Sequence, residues 1–544
     1  MQFVNAFLQG VNYNCIWPMA GSLLRINVYT INGEAFELIT CGTMLGHELA
    51  SRVVQQCPPT EPAIVKLMLR GTLLDLHATI AEQGVVDGCE VTYVLSPASE
   101  NKLTAVKRKA ADGRDMTEEE MLLWNTFRVL NLVKLPETVA LPICLCNLFF
   151  SDSFDQSLEK LALPSGLQSL TFGSTFNQSL DTVELPSGLQ SLTLGRVFNQ
   201  SLDKVALPSG LQELTFGSSF NQSLDKVALP SGLQTLSFGY SFDQRLDKVA
   251  LPSSLLSLTF GSGYGRFNQS LDDVSLPSGL RKLILGSEFN QSLDKVALPS
   301  SLLFLRLGRD YKQSMEQVTL PDSMQTMIIV SGSNNLGLDK VRMPRALEYM
   351  SLNYLGKMAL PSGLKYLTLG SDMNVSLTEA APLPSGLQGL TFGKRFNEPL
   401  DSIALPQGLL HLTFGHEFNQ NLDKVTFPSS LLSLTFGLCF TKSLKGVSFP
   451  SGLQSLTFGA CFNHNIETVA LPSGLQDLTF GNNFNQNLSN VELPSGLQHL
   501  RFGNRFNQNL EAVRLPNNLK SLTFGNLTLP ASVCIYSPLE RFVQ

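Results

Sequence analysis

The chain has 544 residues, of which only 15% are charged, and its formal net charge is −6. Nucleic-acid binding requires clustered Lys and Arg, and the lack of a long basic tract in the sequence argues against that class of function. No apolar run reaches the roughly 18 residues that a membrane-spanning helix requires. The 42 Gly and 28 Pro indicate short strands separated by frequent turns.

The N-terminal segment lacks the features of a secretory signal. Residues 1–21 contain neither the positive start nor the clean apolar core of a signal peptide, and we predict a loose arm. We therefore expect a cytoplasmic protein whose nine scattered Cys are reduced. Lys107, Arg108 and Lys109 fit a nuclear import signal, but the simpler interpretation is that they are basic residues of a solvated linker.

Residues 22–97 show the element order of a small α+β domain. A first hairpin turns at Asn32 and Gly33, both of which accept positive φ. A segment with helical spacing of apolar residues follows, and Pro58 stops it. A third strand and a last alternating strand, which ends at Leu95, complete the series. This order of hairpin, helix, strand, short connection and strand predicts a β-grasp domain.

Residues 24–95 resemble ubiquitin, most clearly over VKLMLRGTLLDLHATIAEQGVVDGCEVTYVL. Members of that family typically bind partners through an apolar patch on the sheet, and by position the resemblance places Ile31, Met68 and Val94 in such a patch. The alternative is that Met68 and Val94 are ordinary strand residues. After Leu95 the chain reads SPASENK, with no Gly-Gly end, so the resemblance implies a built-in docking domain and not a conjugated modifier.

Two segments join this domain to the repeats. Residues 98–116 are polar and basic without periodicity, which predicts a linker. Residues 117–133 begin with a capping box formed by Thr117 and Glu120 and continue with apolar residues. Because solenoids need their open ends covered, we interpret residues 117–133 as a capping helix.

Residues 134–530 repeat with a period of 22, and such a fixed period is typical of stacked coils. In each coil Leu follows a Pro by three and six residues, and Phe or Leu follows it by eight, as in Leu167, Leu170 and Phe172. This spacing predicts a β-rich solenoid of the leucine-rich-repeat type, with about eighteen coils and parallel strands. Residues 531–544 are interpreted as a C-terminal cap or tail. The Pro positions are 142, 164, 186, 208, 230, 252, 277, 299, 321, 344, 361, 384, 406, 428, 450, 472, 494 and 516.

The fuller pattern LPSGLQSLTFG followed by FNQSL resembles the FNIP repeat, a leucine-rich-repeat variant found in amoebae, some giant viruses and other protists. The resemblance implies a solenoid fold and a protist or algal source, and it implies no activity. Gln-Ser mostly replaces the usual Ile-Pro after Phe-Asn, so the repeat is diverged. The recurring Asn, such as Asn177, is predicted to bond turn backbone of its own and the next coil, although several also form glycosylation sequons.

The pattern breaks between the Pro at 299 and the Pro at 361. In the regular coils the outward strand positions are mostly Ser and Thr. Near the break they become charged or aromatic, and exposed aromatic and Arg residues are typical of binding patches. The alternatives are sequence drift or a joint between two regular halves. The predicted patch consists of Lys282, Phe304, Arg306, Tyr349 and Tyr366.

The sequence contains no catalytic constellation, so we expect a protein that is not an enzyme and that uses no cofactor or metal. Its six His are dispersed, and Cys439 and Cys461, at one repeat position in adjacent coils, fit either a disulfide or two small core residues. We predict an interaction scaffold or adaptor with protein partners, not nucleic acid or membrane, and with a connection to the ubiquitin pathway as the sharper form. The alternative is a structural repeat protein whose Ser/Thr face binds glycan or a repetitive surface.

Overall fold

The computed structural model describes residues 23–530, apart from gaps at 31–34, 42–43, 70–71, 84, 86–88, 137–139, 262–263, 334–335, 356, 372–381, 402 and 526. The predicted N-terminal arm and C-terminal tail therefore lie outside the described residues. The chain divides into two compact units, one of residues 1–178 with 182–192 and one of residues 179–181 with 193–544.

The first unit begins with a five-stranded mixed sheet and one helix. The elements are β1 (Leu23–Thr30), β2 (Ala35–Cys41), α1 (Gly46–Gln56), β3 (Ala63–Leu69), β4 (Thr72–Leu73) and β5 (Cys89–Pro97). The strand order in the sheet is β2-β1-β5-β3-β4. β1 and β5 are parallel, and the other neighbours are antiparallel. The alternating residues Val65, Leu67, Val91 and Tyr93 are buried because one face of the sheet lies against helix α1.

Two helices connect this sheet to the first coil. In contrast to the linker predicted for residues 98–116, helix α2 spans Glu100–Ala111 and buries Val106 and Ala110. Its first turn is capped by Ser99, whose side chain accepts a hydrogen bond from the backbone N–H of Lys102. Helical propensity and this cap therefore order a segment whose composition looked like linker.

Helix α3 spans Glu118–Asn125, and its predicted capping box is confirmed. The Thr117 hydroxyl accepts from the Glu120 N–H at 3.2 Å, and the Glu120 carboxylate accepts from the Thr117 N–H at 2.9 Å. The helix ends well before residue 133, where we had predicted its end, because residues Val129–Leu132 instead form strand β6 of the first coil.

The N-terminal sheet packs directly on this helix and on the first coil. The hydroxyl of Thr126, which is fully buried, accepts a hydrogen bond from the Ala63 N–H at 3.2 Å. The Cys144 thiol, in the first coil, lies 3.4 Å from the Val54 carbonyl oxygen of α1. Leu122 and Cys144 thus belong to the same apolar core as the sheet. The N-terminal domain is therefore continuous with the end of the repeats within this unit, and it covers the end as capping requires.

Short parallel strands follow in both units, one for each coil. The first unit contains β6 (Val129–Leu132), β7 (Asn147–Phe150), β8 (Ser169–Thr171) and the first two residues of β9 (Ser191–Thr193). The second unit contains β10 (Glu213–Thr215), β11 (Thr235–Phe238), β12 (Ser257–Phe260), β13 (Lys282–Ile284), β14 (Phe304–Leu307), β15 (Thr326–Ile329), β16 (Tyr349–Leu352), β17 (Tyr366–Leu369), β18 (Gly389–Thr391), β19 (His411–Thr413), β20 (Ser433–Thr435), β21 (Ser455–Thr457), β22 (Asp477–Thr479), β23 (His499–Phe502), β24 (Ser521–Phe524) and β25 (Leu527–Pro530), which turns back antiparallel on β24. Within each unit neighbouring strands pair in register, β6 to β8 in the first and β10 to β24 in the second.

Each coil buries the repeated Leu and Phe residues. In one coil Phe216 and Phe220 stack with ring centroids 3.9 Å apart, and Phe220 stacks on Phe242 of the next coil at 6.1 Å. The Gly that follows most strands allows the coils to approach closely: a Cβ atom on Gly437 would overlap the carbonyl oxygen of Gly415. Aromatic stacking and this close approach explain why Phe and Gly recur at fixed positions.

The recurring Asn forms a ladder along the coils. The Asn221 side-chain oxygen accepts hydrogen bonds from the backbone N–H of Asp243 at 2.8 Å and from the side-chain amide of Gln244 at 3.1 Å. Asn268 does the same for Asn290 and Gln291 of the next coil. These Asn are half-buried, and the bonds that they accept come from the next coil.

The core changes where the repeat breaks. Tyr311 replaces Phe, is fully buried, and stacks on Phe289 at 6.1 Å. Beyond it a short 3-10 helix spans Leu338–Lys340. Flexible Met side chains take core positions that Leu occupies in the regular coils, as at Met324 and Met327, which follow Pro321 by three and six residues. The buried methionines here are Met315, Met324, Met327, Met350 and Met358.

Candidate functional site

The solvent-facing side of the solenoid strands carries two side-chain rows, which strand pairing aligns from coil to coil. In the regular coils the second row consists of half-exposed Thr, as shown by the paired residues Thr413, Thr435, Thr457 and Thr479. These hydroxyls, one strand spacing apart, form a polar and uncharged surface. It can form hydrogen bonds with a partner but has no large apolar side chain for a partner to bury.

Near the break, strand pairing brings the predicted patch residues together. Lys282 pairs with Phe304, which pairs with Thr326, followed in the same row by Tyr349 and Tyr366. The coils here differ in length, but the strands remain in register. We call the side chains Lys282, Phe304, Tyr349 and Tyr366, together with Arg306 in the second row beside them, the aromatic row.

A positively charged end begins the aromatic row. The Lys282 ammonium lies 5.7 Å from the centroid of the Phe304 ring, which is within reach of a cation–π contact. Arg306 lies in the second row, between Ile284 and Ile328 on the neighbouring strands. Its Nε atom is buried and has no hydrogen-bond partner among the described residues.

Two Tyr residues form the other end of the row. The Tyr349 hydroxyl is 3.1 Å from the Thr368 hydroxyl, which fixes the ring. Tyr366 is 42% exposed, and its ring lies over Gly389, where an added Cβ would be 2.6 Å from the Tyr366 Cδ1 atom. The aromatic surfaces are therefore held in place before any partner binds.

The carboxylates close to the row are already paired with cations. Glu348 lies 2.6 Å from the Lys365 ammonium, and Asp322 lies 3.1 Å from the Arg342 guanidinium. In the part of the chain that the structure describes, no carboxylate lies within ion-pair distance of Lys282 or Arg306. The charged end of the aromatic row thus has a net positive charge with no internal counter-ion.

The second predicted patch lies on the N-terminal sheet. Met68 pairs with Thr92, and Val94 pairs with Lys66, so Met68 and Val94 are diagonal neighbours on the outward face. Both are half-buried. Ile31, the third residue of this prediction, lies outside the described residues.

One polar cluster was missed because its members are far apart in the sequence. The Glu118 carboxylate at the start of α3 lies 3.2 Å from the Nδ1 atom of His47 and 2.9 Å from that of His77. Among the described residues, no group of His, Cys, Asp or Glu side chains has the arrangement of a metal site. We therefore interpret this cluster as a contact that joins α3 to helix α1, through His47, and to the segment after β4, through His77.

The cysteines of adjacent coils are not bridged: Cys439 is an exposed free thiol and Cys461 a half-buried one. Across the described residues, no helix combines the length and the apolar character that crossing a bilayer requires.

The repeat itself decides the family. The FNIP Repeat family model matches residues 137–175, 176–219, 220–263, 267–310, 289–332, 379–417, 396–439, 418–461, 440–483, 462–505 and 484–527, which is more than half of the chain. The chain belongs to the FNIP repeat family. The predicted FNIP solenoid with parallel strands is confirmed. The model leaves residues 333–378 unmatched, and two residues of the aromatic row, Tyr349 and Tyr366, lie there.

Among solved structures, the FNIP chain is similar to CroV588, described as a novel circular LRR protein, with 38% identity and a TM-score of 0.54. The match covers 70% of this chain and 60% of CroV588, so the chain spans less than two thirds of that protein. An internalin of Listeria monocytogenes matches at 13% identity over 74% of this chain and 95% of its own, with a TM-score of 0.32.

The N-terminal ubiquitin-like domain of the 4931431F19Rik protein matches 16% of this chain and 92% of its own, with 15% identity and a TM-score of 0.14. The comparison with curated proteins found no match.

Proposed function

We propose that this FNIP protein is a non-enzymatic interaction scaffold that binds a protein partner on its aromatic row. The observation that carries the proposal is the in-register alignment of Lys282, Phe304, Tyr349 and Tyr366 on one solvent-facing row. Tyr, Phe and Arg are the residues that anchor protein interfaces, whereas the regular coils present mostly Ser and Thr at these positions. Solenoids of the leucine-rich-repeat type are generally associated with protein binding, which supports the same assignment.

The test is a triple substitution in the full chain, Phe304→Ala, Arg306→Ala and Tyr349→Ala, followed by recovery of partners from the source cell. The matched control replaces Thr413, Thr435 and Thr457, in the corresponding strands of regular coils, by Ala. The proposal predicts that a partner recovered by the wild type and by the control is lost with the triple variant. Equal recovery by a folded triple variant would remove the aromatic row from the account.

We further propose that the N-terminal sheet is a ubiquitin-like β-grasp domain that docks a second partner in the ubiquitin pathway. The sequence resemblance and the mixed strand order β2-β1-β5-β3-β4 support this assignment. Met68→Glu together with Val94→Glu in the full chain should abolish recovery of ubiquitin-pathway components, whereas Thr72→Glu, on the edge strand, should not. Retention of those components by the double variant would contradict the docking role.

A second candidate function rests on the regular coils. Their Thr row repeats at one strand spacing, about 4.8 Å, which suits a repetitive surface or a glycan. Binding of the full chain to a glycan array, lost on replacing the row residues by Val, would favour this alternative. We propose a cytoplasmic location for either function, and a protist or algal source remains a prediction from the resemblance.

A further inference from the structure

We propose that the aromatic row binds an extended peptide segment that carries a carboxylate side chain three or four residues from an apolar side chain. This inference rests on the proposed interaction function and specifies the chemistry of the partner. Its basis is the unmatched positive charge at one end of the row and the fixed Tyr rings at the other.

The charged end requires an anion. Arg306 is half-buried, and among the described residues neither a carboxylate nor a hydrogen-bond partner of its Nε atom accompanies its charge. Lys282 lies on the adjacent strand, diagonal to Arg306. Two cations with long side chains on a diagonal about 8 Å across can converge on one carboxylate.

The anion is a single group and not a polyanion. Nucleic-acid backbones are bound by runs of cations, whereas the row has two, and the formal net charge of the whole chain is −6. A carboxylate on an otherwise apolar segment matches this charge pattern.

The distances along the row set the spacing in the ligand. Tyr349 lies two strands beyond Arg306, about 10 Å away, and Tyr366 lies three strands beyond it, about 14 Å away, at 4.8 Å per strand. An extended peptide advances about 3.3 Å per residue, so a carboxylate three or four residues from an apolar side chain engages both ends. Rings that are already fixed bind such a side chain at a low entropic cost.

The experiment selects binders from a displayed library of random decapeptides on the full-length protein, with counter-selection on the Phe304→Ala, Arg306→Ala, Tyr349→Ala variant. The most frequent peptide is then synthesised with a fluorescent label, together with a version whose acidic residue is replaced by its amide. Affinities of both peptides are measured by fluorescence anisotropy for wild type, Arg306→Gln, Lys282→Gln and Arg501→Gln. Arg501 is the matched control because it occupies the same row position in a regular coil.

The proposal predicts that selected peptides contain Asp or Glu three or four positions from an aromatic or large aliphatic residue. Arg306→Gln and Lys282→Gln should each weaken binding of the acidic peptide by about tenfold or more and leave binding of its amide version unchanged. Arg501→Gln should change the affinity of neither peptide. Lys282 is exposed, so its substitution tests the charge without disturbing the core.

Three results would overturn the inference. Selected peptides without acidic residues, lost with Phe304→Ala but not with Arg306→Gln, would contradict the carboxylate and leave the interaction function standing. Displacement of the peptide by a ten-nucleotide RNA, with the same dependence on Lys282 and Arg306, would assign a nucleic-acid ligand instead. No enrichment over the counter-selected variant would count against both the inference and the proposed function.

Discussion

At the scale of single residues, a few side chains determine how one coil joins the next. The Asn ladder supplies an acceptor for a backbone N–H of the following coil, and the chain itself contains a substitution at this position. Asp243 accepts from the Asn268 N–H at 2.8 Å and from the Gln269 side chain at 3.0 Å, as an Asn does elsewhere. The ladder therefore requires an oxygen acceptor and not specifically an amide.

Removing one acceptor should destabilise the coils around it. Asn268→Ala leaves the Asn290 N–H and the Gln291 amide without their partner, and we expect a loss of about 1–3 kcal/mol in the free energy of unfolding. Asn268→Asp keeps the acceptor and should remain near wild type at neutral pH. Urea unfolding of the three proteins measures the difference, and equal loss for Ala and Asp would show that the ladder bond contributes little.

A second residue effect depends on pH. The Lys109 ammonium lies 2.7 Å from the Glu120 carboxylate, and this hydrogen bond, with that from the Thr117 N–H, lowers the pKa of Glu120 below its ordinary value of 4.5. Because the pKa of Glu120 is lower in the folded than in the unfolded protein, its ionised carboxylate stabilises the fold fully above the unfolded-state pKa. That stabilisation is lost as pH falls through the folded-state pKa.

Glu120→Gln should therefore lower the Tm at pH 7, and the difference from wild type should disappear as pH falls below the folded-state pKa. Glu119→Gln, an exposed neighbour in the same turn, controls for the helix dipole. Differential scanning calorimetry across this pH range provides the measurement. A difference that persists unchanged at low pH would contradict the role of the Lys109 contact.

The position of Tyr366 depends on the absence of a side chain at residue 389. Gly389→Ser introduces an atom 2.6 Å from the ring, so the ring must move. We expect faster iodination of Tyr366, measured by mass spectrometry. Gly332→Ser is the control because nothing lies within 4 Å of its added Cβ. Equal iodination rates in all three proteins would show that the ring is not held over Gly389.

At the scale of elements, the N-terminal sheet acts as part of the capped end of the repeats in its unit. Thr126, Cys144 and Val54 come from different elements and meet in one buried contact region. Burial raises the pKa of the Cys144 thiol to about 11, which lowers its reactivity further. The thiol therefore reports whether the sheet is packed on the first coil.

In the native protein we expect iodoacetamide to label the exposed Cys439 readily and Cys144 very slowly. Thr126→Val leaves the buried Ala63 N–H unsatisfied, at a cost of about 1–3 kcal/mol, and should increase Cys144 labelling. Thr104→Val on the exposed side of α2 is the control. Peptide mapping resolves the individual sites. Rapid labelling of Cys144 in the wild type would mean that the sheet separates readily from the coil.

At the scale of the whole molecule, the features that recur with the repeat were predictable from the sequence. The contacts between residues that are distant in the sequence were not. A fixed period places Leu170 and Phe172 in the core of every equivalent coil, and pairing in register carries Phe304 and Tyr349 to one row despite coils of unequal length. The ordering of α2 depends on the burial of Val106, which composition does not reveal.

The contact of His47 and His77 with Glu118, and the packing of Ala63 on Thr126, also escaped prediction. Both depend on tertiary packing between elements with no shared sequence pattern. The residues of the aromatic row could be chosen from the sequence, but the ion pairs around them could not. The pairing of Glu348 with Lys365 depends on which strands are neighbours in the fold. The sequence also predicted that the recurring Asn accepts hydrogen bonds from backbone groups. The structure shows that the donors lie in the following coil.

The most direct test of the scaffold account is site-specific photocrosslinking in the full chain. A benzophenone amino acid is placed at Thr326, in the middle of the aromatic row, or at Thr435, in a regular coil with similar exposure. The account predicts that a protein from the source cell crosslinks at position 326 and not at position 435, and that Tyr349→Ala abolishes the crosslink. Crosslinking of that protein at 435 alone, or equally at both positions regardless of Tyr349, would contradict it.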